Sequence, residues 1–259
     1  MSEVRVAVVG GGAAGLTAAI TAARLGAVVT LLEAGSRVGQ KILASGNGRC
    51  NLTNTAVAPD AYNAPEFVAP VLSGCGCSDV LAFFGDLGLL TYADEEGRVY
   101  PVTNAANSVL DVLRLEYAHL GVTERFGFEV ARIERGDNSL VVRSREGEAV
   151  VADAVIVASG GGRSVLEGLG HASEPLWPAL VPLTTDTRAI RGLSGVRVRG
   201  AASVLDEDEA MRATERGELL FRDYGVSGIM VLDLSRVALP GHTPSLDFFP
   251  DIEHAAIVQ

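Results

Sequence analysis

Six residues near the N-terminus, Gly10-Gly11-Gly12-Ala13-Ala14-Gly15, constrain the fold of this chain more than any other feature. They fit the pattern G-x-G-x-x-G, with glycine at its three fixed positions. Residues 4–9 before them form a β-branched apolar run that predicts a buried parallel strand, and residues 13–25 carry apolar positions at helical spacing. A second apolar run, at residues 28–33, completes a βαβ unit of about 30 residues. The sequence therefore predicts a Rossmann-like α/β fold that binds a dinucleotide at its first turn.

Each glycine of this fingerprint has a separate physical role. Gly10 permits the tight turn, Gly12 lets the backbone approach a pyrophosphate, and Gly15 lets the helix pack on the strand. Glu33 ends the second strand 18 residues after Gly15, where its carboxylate can accept hydrogen bonds from an adenosine ribose. The alternative interpretation is a glycine-rich turn that binds nothing, and the acidic residue in register disfavours it.

The rest of the chain predicts a second domain of a different kind. We expect a functional irregular segment at residues 35–64, since so long a loop in a compact domain seldom lacks a role. Further elements follow from periodicity: helices at residues 78–87 and 108–120, a β-meander starting with strands at 128–135 and 140–144, and an apolar strand at 153–159. Beyond Pro175, prolines and short strands predict a β-rich domain at residues 176–259, after a nucleotide-binding domain at residues 1–175. Its predicted strands are residues 180–185, 196–205, 219–222 and 245–249.

Charge and cysteine content exclude several functions. The formal net charge of −11 would repel phosphate backbones, so nucleic acid is not an expected partner. Three cysteines are too few for a disulfide framework, which favours a cytoplasmic protein. Residues 6–23 carry no charge but consist mainly of alanine and glycine, so we do not expect a membrane span or a signal sequence there.

Several later motifs resemble one family of flavoproteins. Residues 33–41 continue the fingerprint as members of the glutathione-reductase-like superfamily do. Residues 45–54, Ser-Gly-Asn-Gly-Arg-Cys-Asn-Leu-Thr-Asn, closely resemble the BaiN-like (YhiN-type) flavoproteins. The similarity extends through residues 97–102, 157–161, 179–183 and 219–228, and so covers nearly the whole chain.

The resemblance implies an FAD-dependent oxidoreductase with a two-dinucleotide-type FAD domain and an inserted β-rich substrate domain. The flavin would pass electrons or hydride to or from a small organic substrate, either taking electrons from NAD(P)H or passing them to oxygen. The fingerprint and the resemblance together give these expected cofactor-binding residues: Gly10, Gly12, Ala13, Ala14, Gly15, Glu33, Ala34, Lys41, Ser45, Gly46, Gly48, Arg49, Cys50, Asn51, Val130, Ser159, Gly160 and Gly161. By the same resemblance, the backbone near Val130 would contact the adenine.

Two residues of the 45–54 motif keep alternative interpretations. Arg49 would stabilise negative charge on the pyrophosphate or on reduced flavin, or it would only hold an irregular loop in place. Cys50 is either a redox-active thiolate beside Arg49 or a small buried apolar residue. Cys75 and Cys77 lack the partners of a metal site, and the four histidines show neither metal spacing nor a nucleophile. We therefore assign no metal ligand and no catalytic residue.

The sequence departs from the family in two places. The step from Gly161 to Leu169 is shorter than the family's, and the family's closing strand, flavin-side element and long helix are missing, so we expect a truncated FAD domain and an incomplete β-rich domain. A missing C-terminal segment or chain would then be a partner. Two functions remain as alternatives to a flavin oxidoreductase: a non-catalytic fragment or split subunit, and an NAD-binding dehydrogenase that uses only the first βαβ unit.

Overall fold

The structure is a computed structural model that describes residues 3–62, 64–161, 164–172, 178 and 180–252. The chain divides into two compact units, Met1–Glu174 and Pro175–Gln259, and each has a hydrophobic core of its own. The predicted short step at Gly162 and Arg163 and the end of the chain at Gln259 lie outside the described residues.

The first unit contains the strands and helices of a nucleotide-binding domain. In chain order they are β1 (Arg5–Val9), α1 (Ala13–Arg24), β2 (Val28–Leu32), α2 (Gln40–Ala44), β3 (Thr53–Asn54), α3 (Pro65–Gly74), α4 (Cys77–Asp86), β4 (Thr91–Ala93), β5 (Arg98–Pro101), α5 (Ala106–His119), β6 (Thr123–Arg125), β7 (Val130–Arg135), β8 (Leu140–Ser144), β9 (Ala149–Ala152), β10 (Ala154–Val157) and α6 (Ser164–Glu167). Short 3₁₀ helices lie at Ser45–Gly48 and Pro59–Ala61.

A four-stranded parallel sheet forms the centre of this unit, in the order β10-β1-β2-β6. One face packs against α1 and α5, where Leu16, Ile20 and Leu113 are buried. The other face is covered by the meander β7-β8-β9, through Phe128, Ile133 and others. The predicted Rossmann-like α/β fold with a β-meander is thus confirmed.

The segment at residues 35–64 is more regular than we predicted. It contains α2, two 3₁₀ helices and β3, and β3 joins β4 and β5 in a small antiparallel sheet of order β3-β5-β4. Helix α3, strand β6 and this sheet give no clear signal in the sequence, because strands of two to four residues show no periodicity and α3 carries a proline, Pro70, inside it.

The second unit is built on one antiparallel sheet. Its elements are β11 (Leu183–Thr184), β12 (Arg197–Leu205), β13 (Met211–Arg222), β14 (Gly225–Ser227), α7 (Ile229–Leu234) and β15 (Thr243–Asp247), with the strands in the order β11-β14-β13-β12-β15. The prediction of a β-rich unit is confirmed, but β11 is shorter than expected and β13 is much longer. The sequence analysis missed α7, whose Met230, Val231 and Leu234 are buried in the core.

The uncharged stretch at residues 6–23 is divided between β1 and α1 by the glycine turn. Among the described residues, no single helix is long and apolar enough to cross a membrane. Helices α3 and α4 meet that criterion only when taken together, as a pair bent by 43°.

An ion pair ties the start of β1 to the residue before β10. The Arg5 backbone N–H donates to the Asp153 carboxylate at 2.8 Å, and the Arg5 guanidinium donates to it at 2.6 and 3.2 Å. These contacts lower the pKa of Asp153 to about 2. Because the folded-state pKa is depressed, the stabilisation is fully present above the unfolded-state pKa of about 3.9 and is lost as the pH falls toward 2.

We therefore expect the stability difference between wild type and Asp153→Asn to depend on pH. It should be small and constant near neutral pH, since both side chains are partly exposed, and it should shrink between about pH 4 and pH 2. Urea unfolding at a series of pH values measures it. Asp137→Asn, in an exposed turn, is the control, and a difference for Asp153→Asn that stays constant down to pH 2 would contradict the assignment.

Candidate functional site

The glycine turn between β1 and α1 has the geometry of a phosphate-binding loop. Gly10 has φ +104°, and a Cβ built there would lie 2.5 Å from the Ala158 carbonyl oxygen. A Cβ on Gly15 would lie 1.7 Å from the Gly10 carbonyl oxygen, so this glycine is needed for packing the helix on the strand. A Cβ on Gly12 would meet nothing within 4 Å. The protein itself does not fill the space at Gly12, where a ligand can approach the backbone.

The N-terminus of α1 adds a partial positive charge at the same place. Gly12 is the N-cap residue, no side chain caps the helix, and the first turn has no acidic residue. The first N–H groups of this helix of 12 residues therefore remain available to an anion.

The Glu33 carboxylate is held by the backbone on both of its oxygens. The Gly11 N–H donates to Oε2 at 2.7 Å, and the Gly35 N–H donates to Oε1 at 2.7 Å. Gly39 also holds the glycine turn in place. It has φ +74°, and its N–H donates to the Gly11 carbonyl at 2.8 Å. The sequence predicted Glu33 as a ribose acceptor, and the structure adds that it orders the glycine turn.

A cavity of about 450 Å³ brings together eight of the eighteen predicted cofactor-binding residues. The predicted residues that line it are Gly10, Gly12, Ala13, Ala14, Glu33, Lys41, Ser159 and Gly160. The sequence analysis did not single out the other lining residues, which are Gly11, Arg37, Gly39, Gln40 and Ala158. Arg37 and Gln40 gave no signal of their own, although both belong to the stretch from residue 33 to 41 that carries part of the resemblance.

A second, larger cavity of about 1030 Å³ shares Ala13, Ala14 and Lys41 with the first. It contains the predicted residues Ser45, Cys50 and Asn51, and its other walls are mainly apolar side chains of α1, α4 and α5. Because three residues line both cavities, the cavities adjoin at the N-terminus of α1. An elongated ligand can therefore extend from Glu33 past the glycine turn to Ser45.

The loop from Ser45 to Asn51 is folded tightly against itself. The Cys50 N–H donates to the Ser45 carbonyl at 3.1 Å, and the Ser45 hydroxyl donates to the Ile42 carbonyl at 2.7 Å. Gly46 and Gly48 have φ +55° and +83°, and Cys50 also has a positive φ, of 60°. Burial raises the pKa of the Cys50 thiol. This favours the protonated thiol over the thiolate alternative at neutral pH.

Arg49 stacks on the Tyr100 ring, with its guanidinium carbon 4.5 Å from the ring centroid. The other cations near the two cavities are Arg37 and Lys41. None of these three forms an ion pair with a carboxylate in the described part of the chain, whereas eleven other arginines do. In a chain of net charge −11, this leaves a local set of cations available to an anionic ligand.

Some predicted residues lie apart from the two cavities. Ala34, Gly15, Gly46, Gly48, Arg49, Val130 and Gly161 line neither of them. Val130 begins β7 in the meander, and Phe128, two residues earlier, donates its N–H to the Glu33 carbonyl at 2.9 Å. The meander is thus attached to the end of the site at Glu33, but the Val130 side chain packs toward the core.

No group of three or more His, Cys, Asp or Glu side chains able to hold a metal occurs among the described residues. The cysteines at positions 50, 75 and 77 are all free. The site offers a ligand backbone N–H donors, the Glu33 carboxylate as an acceptor and the cations Arg37 and Lys41, which suits a dinucleotide with its ribose and pyrophosphate.

The fold and these polar groups define a dinucleotide-binding Rossmann domain joined to a β-rich unit. The profile of the HI0933-like protein Rossmann domain matches residues 4–174, and that of the HI0933-like protein barrel and H2TH domain matches residues 177–259. The chain belongs to the HI0933-like family, which confirms the BaiN-like resemblance read from the sequence. Membership in this flavoprotein family supports FAD as the dinucleotide of the site.

Two curated relatives show what the chain is similar to. The 3-dehydro-bile acid delta(4,6)-reductase of Clostridium scindens is 35% identical over 98% of this chain and 66% of its own length. The ribosomal RNA dihydrouridine synthase of Escherichia coli is 28% identical over 95% of this chain and 64% of its own length. The chain thus spans about two thirds of the length of these relatives.

Among solved structures, Thermovibrio ammonificans THI4 matches with a TM-score of 0.45 and 18% identity, over 64% of this chain and 60% of that one. A likeness this weak adds nothing to the assignment.

Proposed function

We propose that this protein is an FAD-dependent oxidoreductase that reduces a carbon–carbon double bond conjugated to a carbonyl group in a small molecule. The observation that carries the proposal is the open backbone at Gly12, flanked by the Glu33 carboxylate and joined through Lys41 to a large, mainly apolar cavity. The names of the two curated relatives, a delta(4,6)-reductase and a dihydrouridine synthase, both describe the saturation of such a bond.

The residues of this chain would supply binding and electrostatics. The α1 N-terminus and the Gly12 backbone would hold the pyrophosphate, and Glu33 would accept hydrogen bonds from the ribose. Lys41 lies where the two cavities meet, with its exposed ammonium group beside Gly160. When bound, FAD supplies the hydride chemistry, with NAD(P)H as the source of electrons.

A small organic substrate fits this chain better than RNA does. Residues 175–259 contain 8 basic and 12 acidic residues, so the β-rich unit is itself acidic. Proteins that bind RNA or anionic membranes present basic surfaces, because phosphate contacts supply most of the affinity. We therefore propose a cytoplasmic enzyme with neither nucleic acid nor membrane as its partner.

Anaerobic reduction and reoxidation of the flavin test this function. We expect NADPH or NADH to bleach the absorbance near about 450 nm of the FAD-loaded protein, and an α,β-unsaturated ketone to restore it. The probes are 2-cyclohexen-1-one and a steroid enone, with cyclohexanone as the matched control without the double bond. Reoxidation by the enones at the rate seen with cyclohexanone would contradict the proposal, and a bound nicotinamide without flavin would favour a dehydrogenase instead.

A further inference from the structure

Two cysteines, Cys75 and Cys77, lie at the junction between helices α3 and α4. Helix α3 ends at Gly74 and α4 begins at Cys77, with a bend of 43° between them. Cys75 is exposed and Cys77 is half-buried, whereas Cys50 is buried. All residues of α3 and α4 are described, and neither helix contains a buried residue. Packing in a hydrophobic core therefore does not account for these two thiols.

The backbone at the junction places the two side chains on the same side of the chain. Gly76, between them, has φ −94° and ψ −165°, which is extended backbone. The residues on either side of an extended residue point the same way. Their Cα atoms are at most about 7 Å apart, and a disulfide needs a separation of about 4.4–6.8 Å. Glycine is the residue with the most backbone freedom, so a small contraction at Gly76 brings the two sulfurs within bonding reach.

The surroundings of the junction make Cys75 accessible to small reagents. Cys75 lies in the wall of the cavity of about 1030 Å³, together with Asp79 and Val80 of α4. The Cys75 N–H donates to the Val71 carbonyl at 2.8 Å, and the Gly76 N–H donates to the Asp79 carboxylate at 2.8 Å. The backbone is thus held in place, and a reagent reaches the thiol without unfolding of the helices.

We propose that Cys75 and Cys77 form a redox-sensitive pair, which a hydroperoxide converts into a reversible disulfide. The more exposed sulfur, that of Cys75, attacks one peroxide oxygen as a thiolate and becomes a sulfenic acid. The Cys77 thiol then attacks the Cys75 sulfur, so that the S–S bond forms and water leaves. With hydrogen peroxide, both sulfurs are oxidised, and the peroxide is reduced to two molecules of water.

This disulfide is easily reduced again. A ring closed across a single residue is strained, and strained, exposed disulfides are the labile ones. In the cytoplasm proposed above, such disulfides are transient and redox-sensing rather than structural. Cys50 takes no part, because it is buried and burial raises the pKa of its thiol.

Peptide mass spectrometry of the full chain tests the pair. The native protein is treated with hydrogen peroxide, its remaining thiols are blocked with N-ethylmaleimide, and it is cut after arginine and glutamate. Cleavage after Arg49, Glu66 and Glu95 separates Cys50, in residues 50–66, from the pair, in residues 67–95. Cys50→Ser is the matched control, and Cys75→Ser and Cys77→Ser each remove one partner.

We expect the peptide of residues 67–95 to lose two hydrogen atoms and to carry no label, and dithiothreitol to restore two labelled thiols. The Cys50 thiol should react at least about tenfold more slowly. Cys50→Ser should form the same disulfide as wild type. In Cys75→Ser and in Cys77→Ser, the remaining cysteine of the pair should end as a sulfinic acid, which dithiothreitol does not reverse.

Two labelled thiols in residues 67–95 after peroxide treatment would overturn the proposal, as would a sulfinic acid there in wild type. A disulfide between Cys75 and Cys50, or one that joins two chains, would also contradict it. The result for wild type decides the matter even if one of the variants does not fold. No step of the test depends on FAD, so failure of this inference and failure of the proposed function are separate results.

Discussion

Gly15→Ala is expected to destabilise the nucleotide-binding unit by more than about 3 kcal/mol, although alanine is the better helix former. In α1, a Cβ at this position would lie 1.7 Å from the Gly10 carbonyl oxygen and 3.5 Å from the Ala158 side chain. The atom it would meet is backbone in a turn fixed by its own positive φ, so it cannot move aside as a side chain would. The clash therefore outweighs the gain of about 1 kcal/mol in helix propensity.

Gly85→Ala is the matched control for this prediction. Gly85 also lies inside a helix, α4, but a Cβ there would meet nothing within 4 Å. We expect this variant to be more stable than wild type by about 0.5–1 kcal/mol. Urea unfolding followed by far-UV circular dichroism measures both. Equal unfolding midpoints for the two variants would show that the close approach of α1 to β1 is not as described.

Glu33→Ala is expected to weaken FAD binding by about 100-fold or more. The change removes the proposed ribose acceptor and leaves the Gly11 and Gly35 N–H groups without their carboxylate, and hydrogen bonds to a charged group contribute about 1.5–3 kcal/mol each. Losing the contact at Gly11 also releases the glycine turn, which is the proposed pyrophosphate site. Fluorescence titration with FAD measures the loss.

Glu33→Gln separates charge from shape. Its amide has one acceptor oxygen, so its NH₂ group must face one of the two backbone N–H donors. We therefore expect an affinity well below that of wild type, although the side chain has the same length. Glu129→Gln, an exposed carboxylate paired with Arg145, is the control and should bind FAD as wild type does. Wild-type affinity in Glu33→Gln would mean that the carboxylate charge has no role.

The parallel sheet could be predicted from the sequence only where its strands are long and apolar. Strands β1 and β2 are largely buried between two layers and therefore appear as mainly apolar runs. Strand β10, at the edge of the sheet, is only partly buried, but its four residues are all apolar. Strand β6 has only the three residues Thr-Glu-Arg, and its place in the sheet depends on pairing with Thr30 and its neighbours. No local sequence pattern indicates that pairing.

The site could be predicted from the sequence where its residues lie close together in one short segment. The three glycines and Glu33 lie within 24 residues, and the hydrogen bonds between Glu33 and the turn follow from one βαβ unit. Tyr100 was missed because it reaches Arg49 across 51 positions of the chain, through a sheet of very short strands. A contact of that kind has neither periodicity nor fixed spacing.

The absorbance spectrum of the purified 259-residue protein, with and without added FAD, tests the central claim most directly. We predict a yellow protein with flavin bands near about 375 and 450 nm, or a colourless one that takes up FAD to give them, and we predict that Glu33→Ala fails to do so. A wild-type protein that stays colourless and leaves FAD fluorescence unquenched would contradict the assignment of this site to FAD.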